Sequence, residues 1–479
     1  MKHLFCITLL ACGIGIFANY SEAADGKLEA GAAVVDITPQ EWPVVTRGSF
    51  YPKPKDSAHD PLNARALAFR NGKGKAVICV ADVIFIKEPN SGNIRRAAAE
   101  ATGWPIENIL LAGTHTHSAP APYDGSDAPP EVAFRKHAAE GIVKAISQAI
   151  DNLAPAKVGF GSGEVTDEVF NRRWYLKEGT MPPNPFGEID TVKMNPGRND
   201  ITKPAGPTDP EVAVVTVQNA KGKPLALLAN YSLHYVGAVP GAQISADYFG
   251  EFARIIPFRL GGRTPPENFV GLLSNGTSGD INNIDFTGKR APRAPFEQIQ
   301  TVAGKVADAA YQATREVEYS PNARVDMRQR TVSLKYRKPN EKQIQQARNI
   351  LKMSAEEIKK AKISGLAPHY AVRTLAKLEL PDAVDITIQA MRIGDQAIVS
   401  LPFETLVEIG LELKEKSPFP HTFTIELANG AFGYLPTPKQ HKLGGYETWM
   451  GTSNVQLDAS RVLTDQLLEM LTELKEAKP

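Results

Sequence analysis

The sequence predicts an α/β fold, with a mixed β-sheet core flanked by helices. Two observations carry this. Short apolar runs rich in β-branched residues alternate with longer stretches of helical periodicity. No internal repeat or low-complexity linker breaks that alternation across 479 residues, so residues 24–479 read as a single large domain.

The first residues stand apart from it. Lys2 and His3 precede an apolar run over residues 4–18, and Ser21-Glu22-Ala23 supplies small residues around a cleavage point. This is the order of a secretory signal peptide, residues 1–23, and it predicts an exported protein, periplasmic or secreted. At about 1.5 Å per residue the run is too short for a comfortable membrane span. A lipoprotein signal is the rival, because Leu9-Leu10-Ala11-Cys12 has lipobox character. The apolar run continues past Cys12, which favours simple cleavage. With Cys6 and Cys12 in the signal, the mature chain keeps only Cys79, so an internal disulfide is impossible. Cys79 lies in the apolar run 76–80 and reads as a small buried hydrophobe rather than a nucleophile.

Runs 76–86, 108–112, 211–218, 226–232, 268–273, 383–393 and 396–401 read as buried strands. Helices are expected over 92–102, 131–152 and 296–317, with a final amphipathic one over 454–476. Residues 171–210 are rich in Gly, Pro and Asn and read as a long loop, a length usually functional or mobile. Residues 340–380, rich in Lys, Glu, Gln and Ala, read as a solvated helical hairpin insertion whose charges form an ordinary outer face. Hydrophobic residues at 42% and charged residues at 22% fit a soluble globular chain, and a net charge of +1 argues against a nucleic-acid partner.

The sharpest chemical feature is Gly113-Thr114-His115-Thr116-His117-Ser118, directly after the run 108–112. A His-x-His pair at a strand exit brings two imidazoles near one point, where α/β proteins usually build sites. Imidazole suits zinc, and a catalytic zinc takes about three protein ligands plus an open position. Two hydrogen-bonded loop histidines are the alternative. His234 follows the strand 226–232, and Glu404 follows 396–401 in Leu401-Pro402-Phe403-Glu404. Read alone, the first is a structural histidine and the second a helix N-terminal acid; together with His115 they could make a two-His, one-Glu zinc set. The turn Ser274-Asn275-Gly276-Thr277-Ser278-Gly279-Asp280-Ile281-Asn282-Asn283 could present backbone N–H groups to an anion. It lacks the Gly-x-Ser-x-Gly pattern, so Ser278 is not read as a nucleophile. Gly-rich loops place Tyr434 and Tyr446 near the C-terminal end.

In sequence order these segments resemble the neutral, non-lysosomal ceramidase family, from about Gly31 to Gly451. The resemblance is carried by Asp36-Ile37-Thr38-Pro39, His59-Asp60-Pro61-Leu62, Thr114-His115-Thr116-His117-Ser118-Ala119-Pro120, Asn171-Arg172, Gly279-Asp280, Tyr434 and Tyr446-Glu447. It implies zinc as cofactor, with His115, His234, Glu404 and Tyr434 at the ligand positions. It implies His117, Arg172 and Tyr446 as polar groups around the scissile bond. There are two departures. Asn282 stands where that family has a serine, and Asn283 where it has a proline. No immunoglobulin-like C-terminal domain, typical of true ceramidases, is read. An asparagine can hydrogen-bond a developing oxyanion but cannot be acylated.

The expectation is therefore an exported zinc-dependent hydrolase of an amide or ester, with metal-bound water as nucleophile, His117 as base or donor, and Arg172, Tyr446 and Asn282 orienting the substrate. The substrate would be a small molecule, a lipid or a glycan. The alternatives are a true ceramide amidohydrolase, a metal-dependent enzyme acting on a glycan through Arg172-Arg173-Trp174-Tyr175 and Trp449, and a binding protein without turnover. Oligomeric state is not readable.

Overall fold

The computed structural model describes residues 26–48, 52–122, 127–288 and 293–477. The expected signal segment, with Cys6 and Cys12, lies outside the described residues. Eight strands form the larger sheet: β1 (Glu29–Asp36), β2 (Asn63–Asn71), β3 (Gly74–Ala81), β4 (Ile109–Gly113), β5 (Ala154–Glu164), β6 (Glu211–Asn219), β7 (Pro224–Tyr231) and β8 (Val270–Asn275). Their order is β8-β7-β6-β5-β1-β2-β3-β4. The edge pairs β3–β4 and β7–β8 are parallel and the inner pairs antiparallel, so the sheet is mixed as expected. It is strongly curled, because β8 at one edge packs against β2, β3 and β4 at the other.

A second sheet runs β9 (Val325–Lys335), β10 (Ala383–Ile393), β11 (Gln396–Leu401) and β12 (His421–Glu426), in that order. The two sheets share one apolar core, with Ile78, Leu110, Leu228 and Leu272 facing Met391, Ile398, Phe423 and Ile425. Their edges are tied at β4: Asn429 donates its backbone N–H to the Leu111 carbonyl at 2.7 Å, and its side-chain oxygen accepts from the Leu111 N–H at 3.1 Å.

Helices cover the outer faces: α1 (Asn90–Thr102), α2 (Pro129–Asp151), α3 (Asp247–Gly261), α4 (Glu297–Thr314), α5 (Glu341–Ile350), α6 (Ala355–Lys360), α7 (Ala367–Ala376), α8 (Val407–Lys416), α9 (Pro438–Leu443) and α10 (Ala459–Glu476). α2 shows why they dock. Phe134, Ala138, Gly141, Ile142, Ala145 and Ala149 recur at helical spacing and are all buried. Each large apolar side chain so buried contributes roughly 1.5–3 kcal/mol. α2 packs on β1–β3 and α1 on α2 and β4, α3 and α4 on β5, β6 and β8, and α8 and α10 on the second sheet. No helix among the described residues is long and apolar enough to cross a membrane. Cys79 is free and buried, and burial pushes its thiol up to about 12.

Several elements differ from expectation. The run 76–86 leaves the sheet at Ala81, where buried Asp82 takes up Arg65 at 2.6 Å. The expected loop 171–210 contains a small three-stranded sheet built from Arg173–Leu176, Val192–Met194 and Ile201–Pro204. The expected hairpin 340–380 is three short helices. Capping boxes at Asn340/Gln343 and Ser354/Glu357 start α5 and α6 separately, and Ala347, Ile350, Ala367 and Ala371 form a small core of their own. β5 carries Gly159, Gly161 and Gly163 on the face that meets α4. A Cβ at Gly161 or Gly163 would lie 2.7 or 2.8 Å from the Ala313 or Ala309 carbonyl. The close helix approach removes the large apolar residues by which a strand is normally recognised.

Candidate metal centre

His115 follows β4, His234 follows β7 and Glu404 follows β11. Each strand is held by its neighbours, so the three side chains inherit fixed origins. His115 takes a positive φ of 69°, an uncommon conformation for a non-glycine residue, while its N–H stays on the Val83 carbonyl. That turn swings the imidazole inward. The His234 loop is tied from below, where the Tyr248 hydroxyl donates to the Leu233 carbonyl and the Asp247 carboxylate accepts from Val236 and Gly237 N–H. Glu404 pairs in parallel with Tyr434, which sets carboxylate and phenol side by side.

The imidazoles meet edge-on. His115 Nε2 lies 3.0 Å from His234 Nε2 and 3.0 Å from His117 Nε2. Glu404 Oε2 lies 3.4 and 3.5 Å from the first two. On the far side each ring meets a backbone carbonyl: His115 Nδ1 on Ile84, His117 Nδ1 on Gly48, and His234 Nδ1 on Ser278. A carbonyl only accepts, so each ring carries a proton on Nδ1 and turns its Nε2 inward. Burial pushes His117 and His234 well below the ordinary histidine range, with His115 and Arg172 adding to it. The three inward nitrogens and the Glu404 carboxylate sit this close only with positive charge among them, carried by a proton on one ring or by a cation at their common point. Tetrahedral zinc bonds of 2.0–2.1 Å place neighbouring ligands about 3.3 Å apart, which fits this spacing. The carbonyl on each Nδ1 is the support that orients imidazole ligands in metal sites. Gly48 belongs to that support, because a Cβ there would run into the His117 ring.

Arg172 lies against the same point. Its Nη2 donates to the Tyr434 hydroxyl at 2.9 Å, and its Nε to Glu447 Oε1 at 2.8 Å. Glu447 also holds Arg173 at 2.5 Å, so one buried carboxylate fixes two guanidinium groups. Burial opposes the charge on Glu404, but His115, the Tyr434 hydroxyl and Arg172 outweigh it and keep its carboxyl below the ordinary range. Burial holds the Tyr434 and Tyr446 phenols above theirs, so both remain protonated at neutral pH. The centre opens into a cavity of ≈550 Å³ lined by His115, His117, Arg172, His234, Glu404, Tyr434 and Tyr446 among others.

All but one of the expected site residues therefore share one cavity. Asn282 does not line it. Its amide donates to Asn195 Oδ1 at 2.7 Å, and Asn195, at φ 46°, is the residue that faces the cavity. Ser278 is also behind the wall, with its hydroxyl on Glu426 Oε1 at 2.6 Å. Asn195 and Tyr235 are site residues that sequence reasoning missed, and Glu447 was read only as part of a motif, without its role of fixing both arginines. Tyr235 stacks on His117 at 3.9 Å between ring centroids, and its place beside His234 was the available signal. Trp174 is buried with its indole N–H on the Asn171 carbonyl, Trp449 donates to Asp190, and neither lines the cavity.

Comparison with known proteins agrees with the geometry. The chain is 25% identical over 227 residues to neutral ceramidase B of Dictyostelium discoideum, a match covering 45% of this chain and 29% of that protein. Neutral ceramidase A of the same organism is 25% identical over 224 residues, covering 44% and 29%. These matches span less than a third of the relatives' own length. In fold the chain is similar to the crystal structure of neutral ceramidase from Pseudomonas aeruginosa, with TM-score 0.69 and 18% identity over 95% of this chain and 75% of that one. A structure described as ceramidase complexed with C2 is equally similar, at TM-score 0.69 and 18% identity. The family described as neutral/alkaline non-lysosomal ceramidase, N-terminal, matches residues 29–360, and the chain belongs to that family.

Proposed function

We propose that the chain is an exported, zinc-dependent hydrolase of an amide or ester bond, ceramidase-like in its chemistry. The observation that carries this reading is the convergence of the three imidazole Nε2 atoms and Glu404 at the floor of an open cavity. His115, His234 and Glu404 would hold the metal, with Tyr434 against Glu404 at the edge of the set. Three ligands leave an open position, whereas adding His117 as a fourth would close the site in the manner of a structural zinc. His117 is therefore read as the base.

Bound zinc would supply Lewis acidity and lower the pKa of water towards about 7. The protein's own groups do the rest. His117 takes the proton of the attacking water on Nε2 while its Nδ1–H stays on the Gly48 carbonyl. Arg172, fixed by Glu447, and the protonated Tyr446 hydroxyl donate to the oxygen on which negative charge develops. Asn282 acts through Asn195, which it orients at the wall. With asparagine at 282 and Ser278 turned onto Glu426, no hydroxyl of that turn lines the cavity, which supports attack by water without an acyl-enzyme.

The experiment is hydrolysis of a panel of N-acyl amides and esters, ceramide included, by protein prepared with zinc and by protein stripped with a chelator. Zinc-dependent release of a fatty acid or shorter acid supports the reading. Turnover unchanged after complete stripping contradicts it. Export is tested by terminal sequencing of the mature protein, expected to begin near Ala24; an intact Met1 would rule it out.

A further inference from the structure

The residues read as metal ligands come from separate sheets. His115 and His234 leave strands of the larger sheet, and Glu404 leaves β11 of the second. The spacing of Glu404 Oε2 to the two Nε2 atoms, 3.4 and 3.5 Å, therefore depends on how the sheets are held together at this end. A metal tolerates little error there, because its bond lengths are fixed to within about 0.2 Å.

One buried carboxyl makes the tie. Glu426 is the last residue of β12 and is fully buried. Its Oε2 accepts the N–H of Thr405, the residue next to Glu404, at 2.7 Å. The same oxygen accepts the Ser278 N–H at 3.3 Å, and Oε1 accepts the Ser278 hydroxyl at 2.6 Å. Ser278 belongs to the turn after β8, and its carbonyl accepts from His234 Nδ1 at 3.1 Å. A chain of hydrogen bonds thus runs from His234 through Ser278 and Glu426 to the backbone beside Glu404. A second link lies next to it, where the Gly279 N–H donates to the Thr405 carbonyl at 2.8 Å. A Cβ at Gly279 would stand 2.6 Å from the Glu404 carbonyl oxygen, so the turn comes this close only without a side chain. Burying a carboxyl costs free energy that an apolar residue would not. The three donors that Glu426 gathers all lie on the two segments that carry or support a ligand.

We propose that Glu426 is a positioning residue for the metal centre. It clamps the turn that orients His234 to the segment that presents Glu404, and so sets the separation of two ligands delivered by different sheets. The proposal rests on the metal-centre reading above and concerns no step of the hydrolysis.

The test is zinc affinity by competition with a chelating dye, together with the absorption spectrum of the cobalt(II)-substituted protein, which reports ligand geometry. Glu426→Ala should weaken zinc binding roughly 10- to 100-fold and change the cobalt bands. Glu426→Gln can keep its oxygen on the two N–H groups and turn its NH2 to the Ser278 oxygen, so it should stay within about 3-fold of the unaltered protein. Ser278→Ala removes the hydroxyl link alone and should weaken zinc about 3- to 10-fold. Ile142→Ala is the control: it opens a cavity beneath α2 and lowers the unfolding midpoint without touching these bonds, and it should leave zinc affinity unchanged. Unaltered zinc affinity in Glu426→Ala, or in Ser278→Ala where the first does not fold, overturns the clamp. So does a glutamine variant as weak as the alanine one, or a control that loses zinc as they do. An unaltered protein that takes up no zinc refutes the metal centre and the clamp with it, so failure of the clamp alone is a separate result.

Discussion

Two neighbouring polar regions are built alike and behave differently. The histidine cluster and the turn 274–283 are both buried, both follow strands, and touch where His234 Nδ1 meets the Ser278 carbonyl. In the turn most polar side chains are paired off. Ser278 bonds Glu426, Asp280 accepts from Val407 N–H and Asn171, and Asn283 engages Glu168 and Gln298. The buried Asn275 amide finds no partner among the described residues. The cluster is the reverse: the outward nitrogen of each ring is held by a carbonyl, while the inward nitrogens and the Glu404 carboxylate meet only one another. Burial and polarity are common to both. What marks a ligand site is bonding capacity left over and aimed at one point.

The largest effects should fall on the unsatisfied side. His115→Ala or His234→Ala should reduce bound zinc from about one per chain to less than a tenth, read by elemental analysis of the purified protein. His117→Gln should keep the zinc yet lower kcat roughly 100- to 10,000-fold. Loss of zinc in that variant would move His117 from base to ligand. Tyr434→Phe removes the hydroxyl that joins Glu404 to Arg172 and should weaken zinc affinity about 10- to 100-fold, measured by competition with a chelating dye.

The satisfied side should answer in stability instead. Burial raises the Asp280 carboxyl to about 6, against its ordinary 3.8. A carboxyl raised in the folded state stabilises the fold below about pH 4, and that contribution is lost as pH rises through 6. At 1.36 kcal/mol for each tenfold change, the loss is about 3 kcal/mol. Asp280→Asn should flatten urea-unfolding stability over that window by a similar amount, whatever it does to absolute stability. A slope unchanged between pH 4 and 6 would remove Asp280 as its source. The smallest effect is expected at Asn282. Asn282→Ala should lower kcat/KM by about 3- to 10-fold and Asn195→Ala by roughly 100-fold. The opposite ranking would return Asn282 to direct contact with the substrate.

The same contrast explains what could be read in advance. His115 and His117 announce themselves, because a His-x-His pair leaves a strand whose five residues are all buried. His234 and Glu404 carry no such local mark; each looks like an ordinary residue after a strand, so the residues alone offered a two-His, one-Glu set as one option and the family resemblance selected it. Tyr434 and Arg172 stood out for the same reason. Asn195 sits in a Gly- and Pro-rich stretch that offered no periodicity, and its role comes from a contact 87 positions away. β5 was missed because its glycines serve α4 rather than a recognisable apolar run. Arg373 was hidden differently. Residues 340–380 read as a solvated charged face, and only the tertiary position of α7 brings Arg373 to the cavity.

The most direct test of the central claim is X-ray absorption at the zinc edge, with elemental analysis, on the protein as purified. The account predicts about one zinc per chain, with imidazole scattering from two to three histidines and nitrogen or oxygen neighbours at about 2.0–2.1 Å. A protein that takes up no metal when offered zinc, or one whose metal shows no imidazole shell, would contradict it.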